Sequence, residues 1–175
     1  MSITTGNRGP HGRGQPPAST SAADPITAAL ELAQFETRMD VAVLAEVCDG
    51  REVVRFAAGD VRSFGLPPGA SMPIEDTICH RLLTGRLANV VPDALADEQV
   101  RDLPVTRAAR VGAYLGVPLT TYDARLYVLC CLSHEQRPDL GRRDVLFLRG
   151  IGETILARLH ERRIRARADP DTSLV

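Results

Sequence analysis

Four cysteines and four histidines are the side chains of this sequence with the most chemistry to offer. Cys79 and His80 are adjacent, and Cys130-Cys131-Leu132-Ser133-His134 sets two thiols and an imidazole within five positions. A nucleophilic thiol needs a lowered pKa, and a redox thiol needs a resolving partner within reach. Neighbouring residues of a strand face opposite ways, so Cys130 and Cys131 cannot share one metal or form an ordinary disulfide. A redox pair would need a thiol such as Cys79 on the same face as one of them. Cys48, Cys79, Cys130 and Cys131 form no Cys-x-x-Cys pair and lack the paired spacings of a structural zinc site. The plain reading is four reduced, mostly buried thiols.

The polar candidates each have a plain alternative. Asp76 and Thr77 open a short helix whose amides could hold an anion, although Glu75 and Asp76 also serve as favourable first-turn charges. Asp93 follows Pro92 and suits a turn that bonds its own backbone. Tyr114 either places its hydroxyl in a pocket or belongs to the core. His11, His80, His134 and His160 are scattered, and the spacing sets none beside a Ser or Cys as a general base. The stretch 65–71 (GLPPGAS) has prolines where a phosphate cradle needs amides, and nothing matches GxSxG, HExxH or paired catalytic carboxylates.

The elements that must position these residues are legible from pattern. The chain has 175 residues, 44% hydrophobic and 25% charged, which suits one globular unit with a real core. Its 21 basic and 22 acidic residues give a net charge of −1, which argues against bulk attraction to nucleic acid or an anionic membrane. All the basic residues are Arg, so a Lys nucleophile or Schiff base is excluded. No apolar run approaches the ~20 residues of a membrane span, and no export-type stretch opens the chain; the expectation is a cytoplasmic protein.

Residues 1–22, rich in Gly, Pro, Ser, Thr and Arg, and the segment 167–175 read as disordered tails around a folded unit at 24–166. Asp24 is a good N-cap and Pro25 a good first helical residue for a helix ending near Arg38. Strand alternation follows from Val41 to Val47. Asp49-Gly50 then signals a hairpin whose second strand covers 51–57. The stretch 59–73 reads as a loop, 75–83 as a short helix closed by a left-handed Gly85, and 87–91 as a short strand. An irregular segment 92–110 leads to strands at 113–120 and 125–133, and a long helix spans 142–165. Gly150 and Gly152 inside that helix suggest close backbone packing. The order gives an α+β fold with a mainly antiparallel sheet, terminal helices on one face and the loop-rich middle, with its pocket, on the other.

The segments MPIEDTICHRLLTGRLANVVPDA (72–94), VGAYLGVPLTTYDARLYVLCCLS (111–133) and GRRDVLFLRGIGETI (141–155) together resemble the GAF domain family. The resemblance runs from about Ile26 to Arg163. It implies a GAF-like antiparallel sheet of five to six strands, a ligand cavity opposite the terminal helices, and homodimerisation through those helices. Five strands are read directly, and the sixth would fall near 61–66. Two positions depart from the pattern: Ala124-Arg125 and Val128 stand where many relatives have Gly. Val128 would fill the core or the pocket.

The resemblance also frames function. Phytochrome-like members carry a bilin on a Cys-His pair in a comparable region, but this chain has no Trp, three Tyr and four Phe, and lacks the Asp-Ile-Pro run. The expected role is a non-enzymatic small-molecule sensor acting through a regulatory partner protein. Asp76, Thr77, Cys79, His80, Asp93 and Tyr114 are its ligand-contact candidates, and neither cofactor nor ligand is specified. The alternatives are a thiol enzyme like the free methionine-(R)-sulfoxide reductases of the family, or a ligand-free interaction module. The arginines at 158–167 suit a helix C-terminus and could also meet an acidic partner.

Overall fold

The computed structural model describes residues 24–168. The tail readings for 1–22 and for 169–175 lie outside the described residues, whereas Arg167 and Ala168 still belong to the last helix. Helix α1 (Pro25–Thr37) begins as its sequence requires: the Asp24 carboxylate accepts the Ile26 N–H at 2.8 Å, and Pro25 occupies the first turn. It ends at Arg38, whose left-handed backbone (φ 53) returns its N–H to the Gln34 and Phe35 carbonyls. Strands β1 (Val41–Cys48) and β2 (Arg51–Gly59) form an antiparallel hairpin across Asp49-Gly50, both left-handed, as a tight two-residue turn demands. Strands β5 (Ala113–Thr120) and β6 (Leu126–Ser133) form the second hairpin. Its turn holds Ala124 at φ 61, a left-handed position that suits the Gly of relatives better than an alanine.

Three elements differ from the sequence reading, all between the hairpins. The sixth strand is not at 61–66, where the chain forms helix α2 (Val61–Phe64). Asp60 caps that turn by accepting the Ser63 N–H, and left-handed Gly65 closes it; these start and stop signals override strand propensity. The sixth strand is instead β3 (Ser71–Pro73) on the edge of β2, where the Arg51 guanidinium bonds the Ser71 hydroxyl and carbonyl. The expected helix at 75–83 is broken into a 3-10 turn (Ile74–Asp76) and helix α3 (Ile78–Leu83). Extended Thr77 separates them because its hydroxyl caps α3 by accepting the His80 N–H at 3.2 Å. Strand β4 shrinks to Val90–Val91; at Asn89 the carbonyl still accepts the Gly116 N–H at 2.8 Å, while the side chain donates to the Gly116 carbonyl at 2.7 Å. Helix α4 (Pro104–Ala108) completes this segment, and helix α5 (Arg142–Ala168) ends the fold.

The sheet is antiparallel throughout, in the order β3-β2-β1-β6-β5-β4. Both faces of its centre are buried, which explains why β1 and β6 read as almost continuous apolar runs. On one face Ala42, Leu44, Leu115 and Cys131 pack beneath α1 and α5 with Ile26, Leu30, Leu148 and Ile155. On the other, Val41, Val43, Val128 and Cys130 pack beneath the middle segment with Phe64, Leu66, Ile78, Val100 and Val111. The two helix glycines differ. A Cβ on Gly152 would come within 2.5 Å of Leu119, so α5 meets β5 closely there, whereas Gly150 has nothing nearby and does not mark close packing. No helix among the described residues is long and apolar enough to cross a membrane.

Candidate functional site

A small cavity lies between the sheet and the middle segment. Strand parity brings Val43, Cys130 and Leu132 to its floor, and α3 supplies Ile78 and Cys79 from above. Tyr114, on β5, lies almost fully buried with its hydroxyl 3.5 Å from Cys79 Sγ, to which it donates. The ring can run along its strand because residue 116, two positions on and on the same face, is glycine; a Cβ there would stand 2.1 Å from the Tyr114 oxygen. The open volume is about 20 Å³, room for roughly one water molecule. Val128 is fully buried in the apolar cluster that surrounds this space.

The charged residue in the wall is Glu52, which sequence reasoning missed. It is 6% exposed, and its Oε2 is buried with no hydrogen-bond partner. Its signal was parity: Glu52 is in phase with inward-facing Val54, while Arg51 and Arg55 point out. Burial pushes the Glu52 carboxyl above its ordinary pKa of 4.5, against smaller lowering effects of the Thr77 hydroxyl and the Cys79 thiol. A second buried carboxylate offers the contrast. Glu46, on the helix side of β1, meets Arg55 at 2.7 Å and Arg125 at 3.1 Å.

Of the residues nominated from sequence, Thr77, Cys79 and Tyr114 meet at this cavity. The Thr77 hydroxyl also has structural work, donating to the Ile74 carbonyl at 2.8 Å. Asp76 does not open a helix and lines a neighbouring surface groove instead. His80 lies apart from the cavity, half-buried beside Arg81, so the adjacent Cys79 and His80 do not act on one point. Asp93 accepts the Leu95 and Ala96 N–H groups at 3.1 Å each and is a turn residue. The groove that holds Asp76 has a volume of about 410 Å³ and shares Leu66, Met72 and Val105 with the cavity wall.

One histidine does meet a serine, contrary to the expectation from spacing. His134 Nε2 is 2.9 Å from Ser63 Oγ, and its Nδ1 is 3.0 Å from the Arg110 carbonyl, while the ring stacks on Phe64 at 4.0 Å. Chain folding brings together residues 71 positions apart, which no local motif reveals. A backbone carbonyl orients the ring, and Ser63 Oγ is also within 3.2 Å of the Asp60 carbonyl, so the contact ties α2 to the end of β6. The arginines of α5 are likewise partly spent within the fold: Arg158 pairs with Glu161, Arg162 with Asp24 and Arg163 with Asp123.

Cys130 and Cys131 face opposite sides of the sheet, and Cys79 shares the side of Cys130. Contact with the Cys130 thiol, burial and the nearby Glu52 carboxyl all hold the Cys79 thiol well above its usual range. Burial likewise raises that of Cys131. Such thiols are protonated at neutral pH and poor nucleophiles. A thiol-reactive reagent at pH 7 should therefore label half-buried Cys48 fastest, with Cys79, Cys130 and Cys131 reacting only on unfolding. Rapid labelling of native Cys79 would contradict this site description.

An antiparallel six-stranded sheet with terminal helices on one face and a covered cavity on the other defines the class of this α+β module. The GAF domain model matches residues 23–159, and the chain belongs to the GAF domain family. The phycoerythrobilin-bound GAF domain of a cyanobacterial phytochrome is similar in structure, with TM-score 0.63 and 14% identity over 80% of this chain and 86% of that one. The GAF-B domain of DevS from Mycobacterium smegmatis is similar at TM-score 0.60 and 15% identity, over 83% and 99%. In sequence, a cyclic di-GMP phosphodiesterase of Pseudomonas aeruginosa is 33% identical over 104 residues, 58% of this chain. The match spans only 18% of that relative's length.

Proposed function

We propose that this GAF domain is a small-molecule sensor that works without catalysis and transmits through its terminal helices to a regulatory protein partner. The observation that carries the reading is the cluster of polar groups buried beneath the middle segment, Glu52, Thr77, Cys79 and Tyr114, set among apolar walls and adjoining a surface groove of about 410 Å³. Likeness to part of a cyclic di-GMP phosphodiesterase supports a place in signal transduction. The buried, protonated Cys79 favours sensing over thiol chemistry. A bound molecule would act by favouring one packing of 71–94 on the sheet, to the extent that its affinities for the two packings differ.

Leu32 and Phe35 on α1 and Leu146 on α5 are exposed, Phe35 at 73%, and support a homodimer through the terminal helices. The double variant Leu32→Glu/Phe35→Glu should convert a dimer to monomer in sedimentation velocity while changing the unfolding temperature little. A wild-type protein that sediments as a monomer at its highest soluble concentration would overturn the dimer. Native mass spectrometry of gently purified protein, followed by small-molecule extraction, tests the sensor. A retained molecule, or one from a metabolite panel that raises the melting temperature, is expected. Failure of both would overturn the reading and leave an interaction module.

A further inference from the structure

The two buried carboxylates of this domain stand in opposite circumstances. Glu46 is held by two guanidinium groups. Glu52 reaches a cavity wall with one oxygen buried and no partner. Its near neighbours offer few protons. Thr77 Oγ1 donates to the Ile74 carbonyl, and Tyr114 donates to Cys79 Sγ, leaving the Cys79 thiol, a weak donor. What the cavity lacks is therefore a strong donor, and against an ionised carboxylate a cationic donor offsets the charge as well, whereas an anion or a bare acceptor would add to the deficit.

The cavity alone is too small for an organic molecule, but only Leu66, Met72 and Val105 are common to it and to the ≈410 Å³ groove outside. Met72 is an unbranched, adaptable side chain on the short edge strand β3, and Val105 lies on the five-residue helix α4. The groove beyond is mostly apolar, with Phe64, Pro104, Ala108 and Ala109, and its polar wall includes Asp76 as a second carboxylate beside exposed Arg62.

Building on the sensor reading, we infer that cavity and groove are two parts of one site for a small organic cation. Movement of Leu66, Met72 and Val105 joins them. An ammonium or amidinium head then meets Glu52, and an apolar body lies against Phe64 and Ala109. The cation supplies the hydrogen bonds and the charge that Glu46 receives from arginine and Glu52 does not.

Three phenyl-bearing probes of similar size test this on the intact chain: benzylamine, benzyl alcohol and benzoate, followed by titration calorimetry and by amide NMR shifts of residues 66, 72, 79 and 105. Benzylamine should bind wild type about tenfold or more tighter than benzyl alcohol, with benzoate weakest and the shifts confined to the cavity and groove. Glu52→Gln, checked by circular dichroism to be folded, should erase the preference for the amine, and Glu52→Asp should retain part of it. If benzyl alcohol or benzoate moves these resonances and benzylamine does not, the cation assignment falls while the sensor reading stands. If none of the three moves them and the metabolite panel also fails, both fall. Benzylamine binding that survives Glu52→Gln unchanged would overturn the assignment to Glu52.

Discussion

Replacing Gly116 with alanine should destabilise the domain by about 3 kcal/mol, the upper end of what overpacking a core costs. The added Cβ would lie 2.1 Å from the Tyr114 oxygen and 2.5 Å from the ring carbon that bears it, distances no relaxed contact allows. Tyr114 cannot simply turn away, because it is 1% exposed and its hydroxyl lies against Cys79 Sγ at 3.5 Å. Tyr114→Phe removes the nearest atom but leaves ring carbons at 2.5 and 2.8 Å, so it should rescue Gly116→Ala only in part. Tyr114→Ala removes the obstacle. It costs about 3–5 kcal/mol by itself, as truncating a buried aromatic does, and adding Gly116→Ala should then cost little more. Chemical denaturation of the four proteins measures this coupling. A Gly116→Ala protein as stable as wild type would show that Tyr114 does not lie over residue 116, and the cavity wall would need redrawing.

Glu52→Gln should stabilise the domain at neutral pH, because the amide is uncharged and escapes the penalty that burial places on the carboxylate. The direction with pH follows from proton linkage. Burial holds the folded pKa of Glu52 above the ordinary 4.5, so within that interval the folded state binds more protons than the unfolded one. Wild type therefore loses stability relative to the variant as pH rises through the interval, and the two converge below an ordinary carboxyl pKa. Equilibrium unfolding at a series of pH values checks the trend. A variant less stable than wild type at pH 7 would mean that the carboxylate is paired after all. Glu46→Gln should go the other way, because it strips a partner from both Arg55 and Arg125.

Much of the architecture is legible from local chemistry. Asp24-Pro25, Asp49-Gly50 and Gly85 each fix a backbone geometry by their own constraints, and each stands where the sequence placed it. The two hairpins followed because short connections, 49–50 in the first and 121–125 in the second, join apolar strands and leave no room for a crossover. The middle segment was harder, since its elements are short and held by side chains rather than by periodicity. Thr77 interrupts an apparent helix through one hydroxyl, and Asp60 with Gly65 converts an expected strand into a helical turn. The site was legible in part. Tyr114 and Cys79 lie on segments that the sequence marks out, whereas Glu52 is a charged residue within a strand, and only its phase with Val54 marks it as inward-facing. Ser63 and His134 meet only through the fold.

Carbon NMR titration of the Glu52 side-chain carboxyl, assigned by its loss in Glu52→Gln, tests most directly the claim that the covered face holds an unmet acid. A midpoint above 4.5 in the ligand-free protein, falling when benzylamine is added, is the predicted result. A midpoint at or below 4.5 that the amine leaves unmoved would show Glu52 solvated or already paired, and would contradict the account.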